Sequence, residues 1–335
     1  MRLPFIKYSP SGNTTVLVRL DAVECSAPER SSARQRFVRA RSLAPAERAA
    51  AAAEIIAPDH LGAEQAGFVR LDGPLPRLDM MGGEFCVNAT RALAALLLDE
   101  GGLQPESRPE PAEEAARGGA PARDDGGDWL IGQVSVSGAD APLTVRARWV
   151  GEPANGRAET AVRLDRPSPT CLERPGPGLR LVRLPGITHL VLDADRHPLP
   201  PDGRADDCFA RYNLLEEEAA GCIWLRRADE TSSAPQTVEV DSDGMKEARE
   251  ARWLLTPFVR VRDTGTVCAE SACGSGSLAA ALVIAAREDA PLHTYAFIQP
   301  GGETIDVRLD ADAAWISGMV RLVAKGEVFI DCLTE

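Results

Sequence analysis

Two stretches of this chain are built alike. Gly83-Glu84-Phe85-Cys86-Val87-Asn88-Ala89-Thr90-Arg91-Ala92-Leu93 and Glu270-Ser271-Ala272-Cys273-Gly274-Ser275-Gly276-Ser277-Leu278-Ala279 each set a glutamate just upstream of a cysteine. Small or polar residues follow, and then an Ala/Leu run of helical composition. A cysteine so placed lies at the mouth of a helix, where N–H groups without intrahelical partners and the helix dipole favour negative charge. Such a setting activates a thiol and receives carboxylates. A fold that holds this unit twice is more simply an internal repeat of two α+β domains than one doubly wound sheet.

Around these units the patterning is mostly that of short strands. Strands are predicted at 16–20, 67–71, 134–136, 143–150 and 160–164, then at 179–184, 189–192, 221–225 and 256–261. Further strands are predicted at 295–299, 305–309, 314–320 and 326–330. Helices are predicted at 44–57, stopped by Pro58, at 88–99, closed by Gly101-Gly102, and at 274–286. Residues 104–127 and 228–249 lack apolar periodicity and read as an exposed, mobile loop and an exposed acidic insertion.

A chain of 335 residues exceeds the usual size of one domain, and 44% hydrophobic residues suffice for sizeable cores. A formal charge of −13 argues against nucleic-acid binding, which needs a basic face to neutralise phosphates. No segment approaches 18 consecutive apolar residues, and the N-terminus lacks the apolar core of a signal peptide. No membrane association is therefore expected. The eight cysteines are scattered without a C-x-x-C pair, which fits a reduced, cytoplasmic protein better than a disulfide scaffold. Cys268 and Cys273 have no nearby histidine or second pair, so no metal site is expected. Lysine occurs only at Lys7, Lys246 and Lys325, which thins the candidates for a Schiff base to a pyridoxal cofactor.

The chain resembles the diaminopimelate epimerase-like superfamily of cofactor-independent racemases and epimerases over most of its length. Lys7-Tyr8-Ser9-Pro10-Ser11-Gly12-Asn13 looks like that family's opening strand, and Glu64-Gln65-Ala66-Gly67-Phe68 stands where the family sets a polar pair before a strand. Cys86-Val87-Asn88-Ala89-Thr90-Arg91 matches the first cysteine motif with valine in place of the usual glycine. Ala272-Cys273-Gly274-Ser275-Gly276 matches the second closely, and Gln299-Pro300-Gly301-Gly302 to Ile330 matches the closing strands.

The resemblance implies two pseudo-symmetric domains, each a curved, mostly antiparallel sheet around a central helix. The expected division is 1–135 plus 323–335, carrying Cys86, and 136–322, carrying Cys273. It implies an isomerase without cofactor in which Cys86 and Cys273 exchange protons with one substrate carbon. Backbone amides of Asn88, Ala89, Gly274 and Ser275 are then expected to hold the substrate carboxylate, with Val87 beside them. Asn13 and Gln65 are expected to orient the substrate. Glu64 and Glu270 are expected to hold its ammonium group or tune the thiols, and His189 is a further candidate contact. The family also implies a homodimer.

Departures from the epimerase pattern bear on the substrate. Where that enzyme binds a distal ammonium-carboxylate group through asparagines and an arginine, this chain has Ile187, Ala219 and Thr264. A charged group left without those partners costs several kcal/mol, so diaminopimelate fits poorly. The opening segment and the Glu64-Gln65 stretch look instead like the histidine racemases that supply D-histidine for staphylopine-type metallophores. A racemase for another amino acid, such as proline or hydroxyproline, and a non-catalytic amino-acid-binding relative are the alternatives.

Overall fold

The computed structural model describes residues 1–21, 43–106, 129–200, 205–228, 252–262, 267–290 and 293–332. They fall into two compact units. The first takes the described residues within Met1–Arg108, Asp124–Leu164 and Ser317–Glu335, and the second those within Asp165–Ile316. Residues 107–127 of the first expected loop, 229–249 of the second and Thr264 lie outside the described residues.

In the first unit β1 (Arg2–Pro10) and β2 (Thr15–Arg19) form an antiparallel hairpin. Helix α1 (Pro45–Ile56) lies in the connection to β3 (Gln65–Arg70), which runs parallel to β2, as a parallel pair requires a crossover. Strand β4 (Arg77–Met80) returns antiparallel to β3, and α2 (Val87–Asp99) follows. After a two-residue β5 (Gln104–Pro105), β6 (Leu130–Val136) runs parallel to β4. Strands β7 (Leu143–Trp149) and β8 (Arg157–Asp165) complete an antiparallel meander.

The second unit repeats that order. After β9 (Leu172–Gly176), β10 (Leu179–Leu184) and β11 (Ile187–Asp193) form an antiparallel hairpin. A short helix α3 (Asp206–Arg211) lies in the connection to β12 (Ala219–Arg227), again parallel to its predecessor, and β13 (Arg252–Val261) returns antiparallel. Beyond β14 (Val267–Ala269) comes α4 (Gly274–Glu288). Strand β15 (His293–Ile298) is parallel to β13, and β16 (Thr304–Leu309) is antiparallel to β15. The last strand, β17 (Ala313–Phe329), pairs antiparallel with β1 from Pro10↔Val320 to Arg2↔Phe329. The C-terminal end of the chain thus completes the sheet in which the N-terminal end begins.

Both cysteine helices are core helices. In α2 every residue from Val87 to Leu98 is buried, and in α4 the stretch Gly276–Leu282 is buried with Ile284 and Ala285. Helices apolar on all sides belong inside a sheet layer rather than on its surface. Helix α2 packs on β1, β2 and β7, and α4 on β10, β11, β12 and β16. Leu93 and Leu96 are almost fully enclosed, each a burial of about 1.5–3 kcal/mol.

The fold is α+β with a central helix in each half, as the repeat predicts. The compact units divide after Leu164 and before Ser317, whereas the expected division stood at 135/136 and 322/323. The physical reason is the meander: β7 and β8 continue the pairing begun by β6, and Val145, Ala147, Ala158 and Val162 join the core around α2. Strands predicted at 314–320 and 326–330 are one strand, because pairing with β1 carries the backbone through the exposed 321–327 segment.

Candidate active site

Each cysteine is the N-cap of its helix, and the two caps are nearly superimposable in conformation. Cys86 has φ −128° and ψ 114°, and Cys273 has φ −132° and ψ 109°. In both, the sulfur accepts the N–H of the residue three positions on, Ala89 or Gly276, at 3.4 Å. In both, a hydroxyl one turn later donates to the cysteine carbonyl at 2.7 Å, from Thr90 in one case and Ser277 in the other. A side-chain acceptor at the N-cap is the standard way to satisfy a first-turn donor, here performed by sulfur. The repeated sequence pattern is therefore a repeated atomic arrangement.

Ala89 N–H, expected to face substrate, is engaged by Cys86 Sγ. Among the described residues the N–H groups of Val87, Gly274 and Ser275 have no protein acceptor, so these are the open donors of the two helix ends.

Around Cys86 stands a network of amides. The thiol donates to Gln65 Oε1 at 3.0 Å, and Gln65 Nε2 donates to Asn13 Oδ1 and to Thr15 Oγ1. Asn13 Nδ2 donates in turn to Glu64 Oε2 at 2.9 Å. Asn13, Glu64, Gln65 and Cys86 thus form one chain of contacts, whereas the sequence paired Asn13 with Gln65 and Glu64 with Glu270. The order is set by register: Gln65 opens β3 directly opposite Thr15 of β2. Arg91 supports the turn that presents Asn13. It is fully buried on α2, and its Nη2 donates to Ser11 Oγ and to the Met319 carbonyl. Asn88 is buried on the first turn of α2.

Around Cys273 the setting is drier. Burial pushes this thiol well above its usual value, and the negative charge of Glu270, which also hydrogen-bonds it, pushes the same way. The Ser275 hydroxyl and the Gly276 N–H act in the opposite direction. Ser275 Oγ lies 3.6 Å from Cys273 Sγ and 3.0 Å from His189 Nε2. His189 is fully buried, and burial lowers its pKa to about 3, so the ring is neutral throughout the physiological range. Its ring lies against Gly221, directly opposite on β12, where an added Cβ would sit 2.2 Å from Nδ1. Only glycine leaves room for it.

Sequence reasoning missed Gln299. This residue follows β15, is 2% exposed, and accepts the N–H of Cys273 at 3.0 Å. The signal was available: Gln299 stands in the Gln-Pro-Gly-Gly turn already matched to the closing strands. A buried amide ending an apolar strand needs partners.

These geometries coincide with relationships to known proteins. Residues 37–115 match the model of the histidine racemase CntK N-terminal domain. Over 333 residues, covering 98% of this chain and 97% of the relative, the sequence is 25% identical to a histidine racemase of Fusobacterium nucleatum subsp. nucleatum. A histidine racemase of a second strain of that organism is 24% identical over the same length. Among solved structures, a phenazine biosynthesis PhzF family protein of Enterococcus faecalis has a TM-score of 0.55 at 15% identity, covering 98% of this chain and 100% of that one. A hydroxyproline epimerase of Agrobacterium vitis with bound trans-4-hydroxy-L-proline has a TM-score of 0.54 at 10% identity, covering 98% and 92%.

The chain has the diaminopimelate epimerase-like fold. It is an isomerase of the racemase and epimerase class, and its sequence relatives are histidine racemases. Among the described residues, no helix of this isomerase is long and apolar enough to cross a membrane.

Proposed function

We propose that this isomerase interconverts L- and D-histidine with Cys86 and Cys273 as its two acid–base groups. The observation that carries the reading is the duplicated cap: two cysteines, each at a helix start, each bordered by open N–H donors. The α-hydrogen of an amino acid is a very weak acid. Its removal needs a close base and donors where charge develops on the carboxylate. One cysteine, as thiolate, takes the α-proton while the other, as thiol, delivers one to the opposite face, so configuration inverts. The N–H groups of Val87, Gly274 and Ser275 are suited to a carboxylate that gains enediolate character. Histidine as substrate rests on the sequence relatives, which match over 97% of their length. The product D-histidine would supply metallophore assembly, and the need for reduced thiols fits a cytoplasmic location.

The deciding experiment incubates the protein with L-histidine in D2O and follows the α-proton by NMR and the optical rotation. Loss of both signals is expected. Exchange with another amino acid but not histidine would reassign the substrate, and no exchange across an amino-acid panel would end the racemase reading. Cys86→Ser and Cys273→Ser are each expected to lower turnover by at least about 10³-fold. A variant that keeps near wild-type turnover removes its cysteine from the mechanism.

A further inference from the structure

The Cys273 peptide is held on both sides by one buried side chain and its hydroxyl partner. Gln299 Oε1 accepts the Cys273 N–H at 3.0 Å, while Gln299 Nε2 donates to Ser277 Oγ and to the Phe297 carbonyl, each at 3.1 Å. Ser277 Oγ donates to the Cys273 carbonyl at 2.7 Å. The acceptor and both donor hydrogens of the Gln299 amide are engaged, and no other side-chain type offers that set in this orientation. The backbone behind it is equally fixed. Gln299 N–H donates to the Glu303 carbonyl, Gly302 N–H to the Gln299 carbonyl, and Gly301 N–H to the Ser271 carbonyl two residues before the cysteine. The repeat has a counterpart in the first unit: Ser137, which follows β6 as Gln299 follows β15, donates to the Glu84 carbonyl two residues before Cys86.

We infer that Gln299 is a positioning residue for the racemisation: it fixes the direction in which Cys273 presents its sulfur and keeps that sulfur on its donors. The inference rests on the two-cysteine reading. With N–H and C=O both pinned, only the side-chain torsion of Cys273 remains, and Gly276 N–H then meets the sulfur at 3.4 Å. Releasing the peptide lets the sulfur leave the Gly276 N–H and Ser275 hydroxyl, which favour the thiolate, while Glu270 continues to oppose it. His189, which meets Ser275 Oγ at 3.0 Å, is neutral and contributes no charge.

The test is Gln299→Met, which keeps the shape and removes the hydrogen bonds. Turnover is expected to fall about 10²-fold, the cost of a roughly 1 Å misplacement, with KM little changed. The acid limb of the pH–turnover profile is expected to move to higher pH. The milder Ser277→Ala is expected to shift it the same way with about a tenfold loss of turnover. Hydrogen exchange at the Cys273 amide, followed by mass spectrometry, is expected to quicken at least tenfold in Gln299→Met. That measurement is independent of catalysis, so it remains decisive for Gln299 if Cys273→Ser shows the two-cysteine reading to be wrong. Unchanged amide exchange, or a turnover loss equal at all pH values, overturns the inference.

Discussion

The thiol of Cys86 donates to the side-chain oxygen of Gln65, 3.0 Å away. The same amide holds Asn13, so a single side chain sets both the direction of the thiol and the orientation of the turn residue beside it. Cys273, in contrast, meets a carboxylate, a hydroxyl and a backbone N–H. The two halves share a cap and differ in what faces it.

Gln65→Met separates positioning from folding. The amide's contacts with Cys86, Asn13 and Thr15 disappear while the half-buried stem keeps its packing, so turnover is expected to drop on the order of 10- to 100-fold with little change in melting temperature. Steady-state racemisation beside a thermal melt checks this. Loss of fold and activity together would assign Gln65 to the core instead.

Glu270 gives a prediction with a sign. Its charge and hydrogen bond raise the Cys273 thiol, so Glu270→Gln is expected to move the acid limb of turnover to lower pH. Peak turnover falls if the carboxylate also accepts the thiol proton. An acid limb that stays in place would show that Glu270 does not act on this cysteine.

His189 links stability to acid. Its folded pKa of about 3 lies below the ordinary value of 6.5, so the unfolded chain binds the proton more readily. Stability is therefore expected to decline as pH falls from 6.5 toward 3, by at most about 1.4 kcal/mol per pH unit from this group. Denaturant unfolding of wild type and His189→Gln across that range tests it. The variant should show the shallower acid dependence.

Gly221→Ala asks whether the histidine pocket is as tight as the geometry states. The added methyl collides with the His189 ring at Nδ1 and Cε1, and a ring enclosed by sheet and helix has little room to yield. Overpacking of this kind costs about 1–3 kcal/mol. The substitution is also expected to break the bond from His189 to Ser275 and so lower turnover. A stable variant with unchanged activity would mean that the ring relocates without consequence.

The repeat and the cysteines were legible in the sequence because they are local: a thiol, small residues and an apolar run declare a buried helix start wherever the strands go. Core helices at 87–99 and 274–288 fell within one or two residues of their predicted bounds for that reason. The short strands at 77–80, 172–176 and 267–269, and the helix at 206–211, carried too few residues for a periodic signal.

Partnerships across the chain had no local signature. Nothing in residues 13, 64, 65 and 86 states that one amide joins them; parallel pairing of β2 with β3 does, by setting Gln65 opposite Thr15. Gln299 lies at the end of an apolar strand, and only the return of β15 beside β13 brings it behind Cys273. The sequence by itself determined which atoms are able to do chemistry, because residue type fixes what a side chain can donate, accept or ionise. The tertiary structure decided which of them meet, because hydrogen bonds form over about 3 Å and only strand register brings distant residues that close.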